Sequence, residues 1–119
     1  MYFKRNEPLR YSFDEPINGA LTKLNEHDTV TISVLLLDVS NQGAKIKCKN
    51  NIVLSKEMEV KLAFTLNSVP FHALGKVSWT KSYRNHLEIG LQLDTNQSYQ
   101  KNMIATLKEL AKAKQMNIE

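Results

Sequence analysis

The chain reads as a mainly β protein, a six-stranded antiparallel barrel followed by a C-terminal amphipathic α-helix. Apolar and polar residues alternate with period two from about residue 17 to residue 93, as strands do when they bury one face. From about Asn96 the apolar spacing becomes helical. Six short strands separated by turn residues are better satisfied by closure than by an open sheet, because a closed sheet leaves no unpaired edge. With 119 residues, 42% hydrophobic and 24% charged, there is room for one such core and its appendages.

The first strand is expected over residues 17–24. In the second, Val30, Ile32, Val34 and Leu36 share one face, with Thr31 and Ser33 on the other. The segment Asp38-Val39-Ser40-Asn41-Gln42-Gly43 then places an acid, a hydroxyl and a glycine where one tight turn can form. Gly43 can take a positive φ there, while Asp38 and Ser40 hydrogen-bond local amides or a ligand. After this turn Ala44, Ile46 and Cys48 alternate with Lys45, Lys47 and Lys49, giving a half-buried strand with a basic outer face. Met58, Val60, Leu62, Phe64 and Leu66 define the core side of the next strand, and residues 66–69 its hairpin connection. Phe71, Ala73, Gly75, Val77 and Trp79 fall on one face of the partner strand, so Phe71 and Trp79 are expected to pack in the core rather than stack on bases. Residues 82–85 lead to the last strand, with Leu87, Ile89, Leu91 and Leu93 inward.

In the helix, Tyr99, Met103, Ile104, Leu107, Leu110 and Ala111 lie opposite Lys101, Lys108 and Lys112. This pattern suits a helix that covers a barrel mouth or a sheet face better than one that enters a membrane. The expected organisation is an arm at residues 1–9, ordered only when something holds it, a barrel at 10–94, and a helix and tail at 95–119.

Sixteen basic residues against twelve acidic ones give a net charge of +4, an excess that favours anionic ligands without the density of a dedicated DNA binder. Arg5 and Arg10, on or beside the arm, carry the side chains best suited to bidentate contact with phosphate and with the O6/N7 edge of guanine. The single cysteine, Cys48, cannot form an internal disulfide, and no secretory leader opens the chain, so the cytoplasm is the expected compartment. The longest aliphatic run, residues 34–37, is too short to insert in a bilayer. His27, His72 and His86 lack metal-ligand spacing, and Ser40 lacks the strand-to-helix elbow of a hydrolase nucleophile. Neither a metal, a cofactor nor catalysis is expected.

The arginine-bearing arm, the DVSNQG turn, Gly75-Lys76-Val77-Ser78-Trp79 and Ile89-Gly90-Leu91 together resemble a PilZ domain over about residues 4–94. The resemblance implies a bacterial six-stranded barrel that binds cyclic di-GMP through an RxxxR arm and a (D/N)xSxxG turn. It implies Arg5, Arg10, Asp38, Ser40 and Gly43 as ligand-binding residues, an output through ordering of the arm, and an unidentified protein effector in motility or biofilm regulation. The second motif matches at Asp38, Ser40 and Gly43, while Arg5 and Arg10 have four residues between them where the family pattern has three. That spacing favours an alternative, an interaction module of the same fold that has lost nucleotide binding. A third reading, a small-barrel nucleic-acid binder using the lysine row, is disfavoured by the scarcity of aromatic residues expected to face outward.

Overall fold

The computed structural model describes residues 10–24, 30–49 and 52–118, with side chains as far as residue 113. Six strands, β1 (Arg10–Lys23), β2 (Val30–Ser40), β3 (Gly43–Lys49), β4 (Glu59–Leu66), β5 (Val69–Ser82) and β6 (His86–Asp94), precede one helix, α1 (Gln97–Ile118). They form a closed barrel in the order β1-β2-β3-β6-β5-β4, with every neighbour antiparallel. Each strand sends at least one fully enclosed aliphatic side chain inward: Leu21, Leu36, Ile46, Leu62, Val77 and Ile89. The alternation in the sequence thus becomes a single core surrounded by a hydrogen-bonded wall.

Closure is made where Gly19–Lys23 of β1 pair with Val60–Phe64 of β4. A Cβ at Gly19 would lie 3.1 Å from the Ala63 carbonyl oxygen, so the bare backbone lets the two strands approach. The turn between β4 and β5 holds Asn67 at φ 50° and Ser68 at φ 67°, the pair of positive angles that suits a two-residue hairpin between right-twisted strands.

Several expectations need correction, three of them in the strands. β1 starts at Arg10 rather than near residue 17, because the stretch Asp14-Glu15-Pro16, which breaks the alternation, sits in a register shift between Ser12 and Ile17 while Tyr11 and Ser12 already pair with β2. Trp79 is not in the core. A register shift between Val77 and Trp79 inserts one extra residue, reverses the phase of β5 and leaves Trp79 outside, 43% exposed. Cys48 is only half-buried, since β3 has left β2 by that point and pairs with β6 alone.

Helix α1 begins behind Asn96, whose side-chain Oδ1 accepts from the Tyr99 amide at 2.8 Å. Tyr99, Met103, Thr106 and Leu107 are buried, and Ile104 and Leu110 partly so, whereas Ala111, assigned to the apolar face from the sequence, is exposed. The Tyr99 ring meets Phe71 edge-on with centroids 5.4 Å apart, and Phe71 stacks on Phe64 at 5.5 Å. Asn67 donates to Glu109 at 2.9 Å, which ties the helix to the β4–β5 turn. Among the described residues no helix is long and apolar enough to cross a membrane.

Truncating Met103, which is fully enclosed between helix and barrel, is expected to cost about 2–5 kcal/mol through lost burial and a residual cavity. Ala111→Ser on the exposed flank should stay within about 0.5 kcal/mol of the wild type. Urea unfolding of the two variants checks how the helix is seated.

Candidate functional site

A set of polar groups gathers on the outer wall, where β2, β3, β6 and β5 run side by side. Cross-strand pairing puts Asp38 opposite Lys45, Lys45 opposite Gly90, and Gly90 opposite Trp79, so an acid, a base, a glycine and an indole form one row across four strands. Arg10 reaches this row from β1, where it pairs with Ser40, two residues beyond Asp38. The row borders an open groove of about 560 Å³, within the usual range for small-molecule sites.

Asp38 is the electrostatic centre of the row. Its side chain is 10% exposed, and the Arg10 guanidinium donates to its Oδ1 at 2.5 Å while Lys45 Nζ stands 3.9 Å from Oδ2. A carboxylate withdrawn from water needs such partners, and here two cations from different strands supply them. Arg10 is half exposed, so its charge both steadies Asp38 and faces the groove.

The strand phase explains how a buried acid comes to lie there. A register shift between Leu36 and Asp38 interrupts the β2–β3 ladder just before the turn, and Asp38, Val39 and Ser40 are all buried. Ser40 is fully enclosed, with its hydroxyl 3.5 Å from the Gly43 carbonyl oxygen, a position that braces the turn. Gly43 does not take the positive φ expected from the sequence. Its glycine identity serves space instead: a Cβ would come within 3.3 Å of the Leu91 carbonyl oxygen, 3.5 Å of Ser40 Oγ and 3.8 Å of Arg10 Nη2. The turn is also bound to the far end of β6, because the Leu93 amide donates to the Gln42 carbonyl at 2.9 Å and the Thr95 hydroxyl to the Asn41 carbonyl at 3.1 Å.

The structure therefore brings Arg10, Asp38, Ser40 and Gly43 together around one turn. Arg5, the remaining residue singled out by the sequence, lies outside the described residues. Sequence reasoning missed Lys45, Gly90 and Trp79 as members of the row. A Cβ built on Gly90 would fall 2.0 Å from Trp79 Nε1 and 2.2 Å from Cε2, so the five-membered ring of the indole lies directly on the Gly90 backbone. The available signal was Gly90 itself, a glycine inside an aliphatic strand, which marks close approach by another group.

Among the described residues no group of three or more His, Cys, Asp or Glu side chains could hold a metal ion. Burial raises the pKa of the Cys48 thiol, which disfavours the thiolate a nucleophile requires.

Over residues 3–110 the sequence matches the PilZ domain family. No curated protein matches the chain. Its fold is similar to that of the inhibitor of motility MotI/DgrA from Bacillus subtilis, with 14% identity over 99% of this chain and 54% of that one at a TM-score of 0.70. It is similar also to YcgR from Escherichia coli in complex with c-di-GMP, with 17% identity over 98% of this chain and 51% of that one at a TM-score of 0.72. Against the PilZ domain of YcgR with c-di-GMP the identity is 16%, over 94% of this chain and 97% of that one, with a TM-score of 0.70. The chain thus spans about half the length of MotI/DgrA and of whole YcgR, and nearly all of the isolated YcgR domain.

Gly90→Ala is expected to push the indole off its seat. Trp79 is the only tryptophan, so its emission should shift to the red as the ring gains water, with the far-UV circular dichroism of the barrel unchanged. An unaltered emission spectrum would contradict the packing of Trp79 on Gly90.

Proposed function

The chain belongs to the PilZ domain family, and from that premise we propose that it is a receptor domain for cyclic di-GMP. The observation that carries this reading is the row Asp38–Lys45–Gly90–Trp79 with Arg10 beside it, because it combines the chemistries such a ligand needs. Two phosphates call for positive charge, which Arg10 and Lys45 provide at the groove. Guanine calls for planar hydrogen-bonding groups on its edges and a π surface on its face. The Arg10 fork suits the O6/N7 edge, the Asp38 carboxylate can accept from N1 and N2, and the exposed face of Trp79 can take a base.

On this reading Ser40 and Gly43 keep the turn in shape, Gly43 leaving room for phosphate oxygens beside the backbone. Arg5 acts with Arg10 from the N-terminal side, and residues 1–9 close over the bound messenger. That closure changes the surface offered to an effector protein, which is how a domain without catalysis passes on a signal. The domain is then a binding module rather than an enzyme, and it needs no resident cofactor. A second reading, an interaction module that no longer binds nucleotide, is favoured by the four-residue gap between Arg5 and Arg10.

Cyclic di-GMP, but neither GMP nor cyclic di-AMP, is expected to raise the melting temperature, since a ligand of the folded state stabilises it by mass action. Arg10→Ala should weaken binding at least tenfold in equilibrium dialysis, in line with about 1–3 kcal/mol for a charge-assisted bidentate contact. Equal affinities for the two proteins would remove Arg10 from the site, and a wild type that shows no thermal shift would leave the interaction module.

A further inference from the structure

The outer face that carries the groove continues beyond it. One step along the strands from the Lys45–Gly90–Trp79 row, Lys47 faces Glu88 and Glu88 faces Lys81. One step further Lys49 faces His86, whose ring stacks on Tyr83 with centroids 4.6 Å apart and planes 12° from parallel. Lys81 Nζ stands 5.4 Å from the centre of the Tyr83 ring. Successive rows are about 7 Å apart, so Trp79 on β5 and Tyr83, the residue just past its end, lie roughly 13 Å from each other. Four lysines thus share a strip with two exposed aromatic rings, and Glu88, 3.5 Å from His86, is the one acid in its two outer rows.

We propose that this strip on β3, β6 and β5 binds single-stranded nucleic acid, with Trp79 and Tyr83 as stacking platforms and the lysines along the phosphate backbone. The sequence argued against a nucleic-acid role because too few aromatic residues were expected outside. The register shift at Trp79 removes that objection, and Tyr83 at 38% exposure adds a second platform. Lysines spaced along a strand beside sequence-tolerant π faces are the combination that single strands require. A duplex hides its base faces and so could not use the two rings. An acidic peptide would satisfy the lysines but leave the aromatic rings without a role. The proposal goes beyond cyclic di-GMP recognition and shares with it only the Lys45–Gly90–Trp79 row.

The test uses the whole chain, fluorescence anisotropy with a labelled twelve-nucleotide oligouridine, and variants outside the groove. Wild type should bind the single strand and lose about twentyfold in affinity between 50 and 200 mM salt, the slope expected for about three lysine–phosphate contacts. Tyr83→Ala should weaken binding about fivefold or more, Tyr83→Phe should leave it near wild type, and the exposed double change Lys49→Glu with Lys81→Glu should weaken it about tenfold or more. All three variants should retain the melting temperature of the wild type. A cyclic di-GMP thermal shift, present or absent, is read separately, so failure of either idea is visible by itself. Absence of strand binding at 50 mM salt, indifference to the Tyr83 and lysine changes, or equally tight binding of a duplex or of labelled oligoglutamate would overturn the proposal, the last in favour of an acidic protein partner.

Discussion

Closure of the barrel between β1 and β4 is the constraint on which everything else rests. Until Gly19–Lys23 meet Val60–Phe64, both strands present unpaired amides and carbonyls, and the core side chains of the six strands have no common interior. The seam joins segments separated by a large part of the chain, so the entropy of forming it is recovered only when the whole core assembles. Gly19 makes the joint possible at the atomic level, because the Ala63 carbonyl occupies space next to where a side chain would start. Once the wall is closed its outer surface has a fixed register, and functional groups can be placed on it row by row.

The charged end of that surface follows from sheet geometry rather than from loop chemistry. Lys45 is brought to Asp38 by direct pairing and Arg10 by a diagonal, so neither cation needs a dedicated segment to carry it there. Because Asp38 is nearly excluded from water, its attraction to both partners is less screened than that of a surface ion pair. Arg10 is the more exposed member and lines the groove. The same carboxylate that holds Arg10 in place also limits how freely it can turn to a new partner, so an arriving anion competes with Asp38 as well as with water.

Most of the architecture was legible in the amino-acid order because both faces of the strands obey period two and the helix changes period cleanly. The β4–β5 turn, the enclosed faces of β4 and β6 and the buried stripe of the helix all follow from that pattern. What stayed hidden were the places where the period slips. The β1 ladder takes in three extra residues around Asp14-Glu15-Pro16, β2 one before Asp38 and β5 one at Ser78, and alternation alone cannot locate unpaired residues. The slip at Ser78 has the largest effect, since it converts Trp79 from an expected core residue into a surface ring. The motif Asp38, Ser40 and Gly43 was readable as a turn, yet its glycine serves closeness of packing and not a left-handed backbone. Lys45 was visible only as part of a basic face, because its role depends on what sits opposite it in the neighbouring strand.

The hydrogen bonds from Leu93 and Thr95 to the carbonyls of Gln42 and Asn41 tie the bend before Gly43 to the place where β6 gives way to the helix. Gln100, in the first turns of that helix, binds the Thr95 hydroxyl in its turn at 2.9 Å. Bend and helix root are therefore joined by a short chain of hydrogen bonds, although they are distant in the sequence. Displacing the bend would break contacts that also anchor the start of the helix, so the two share part of their stability.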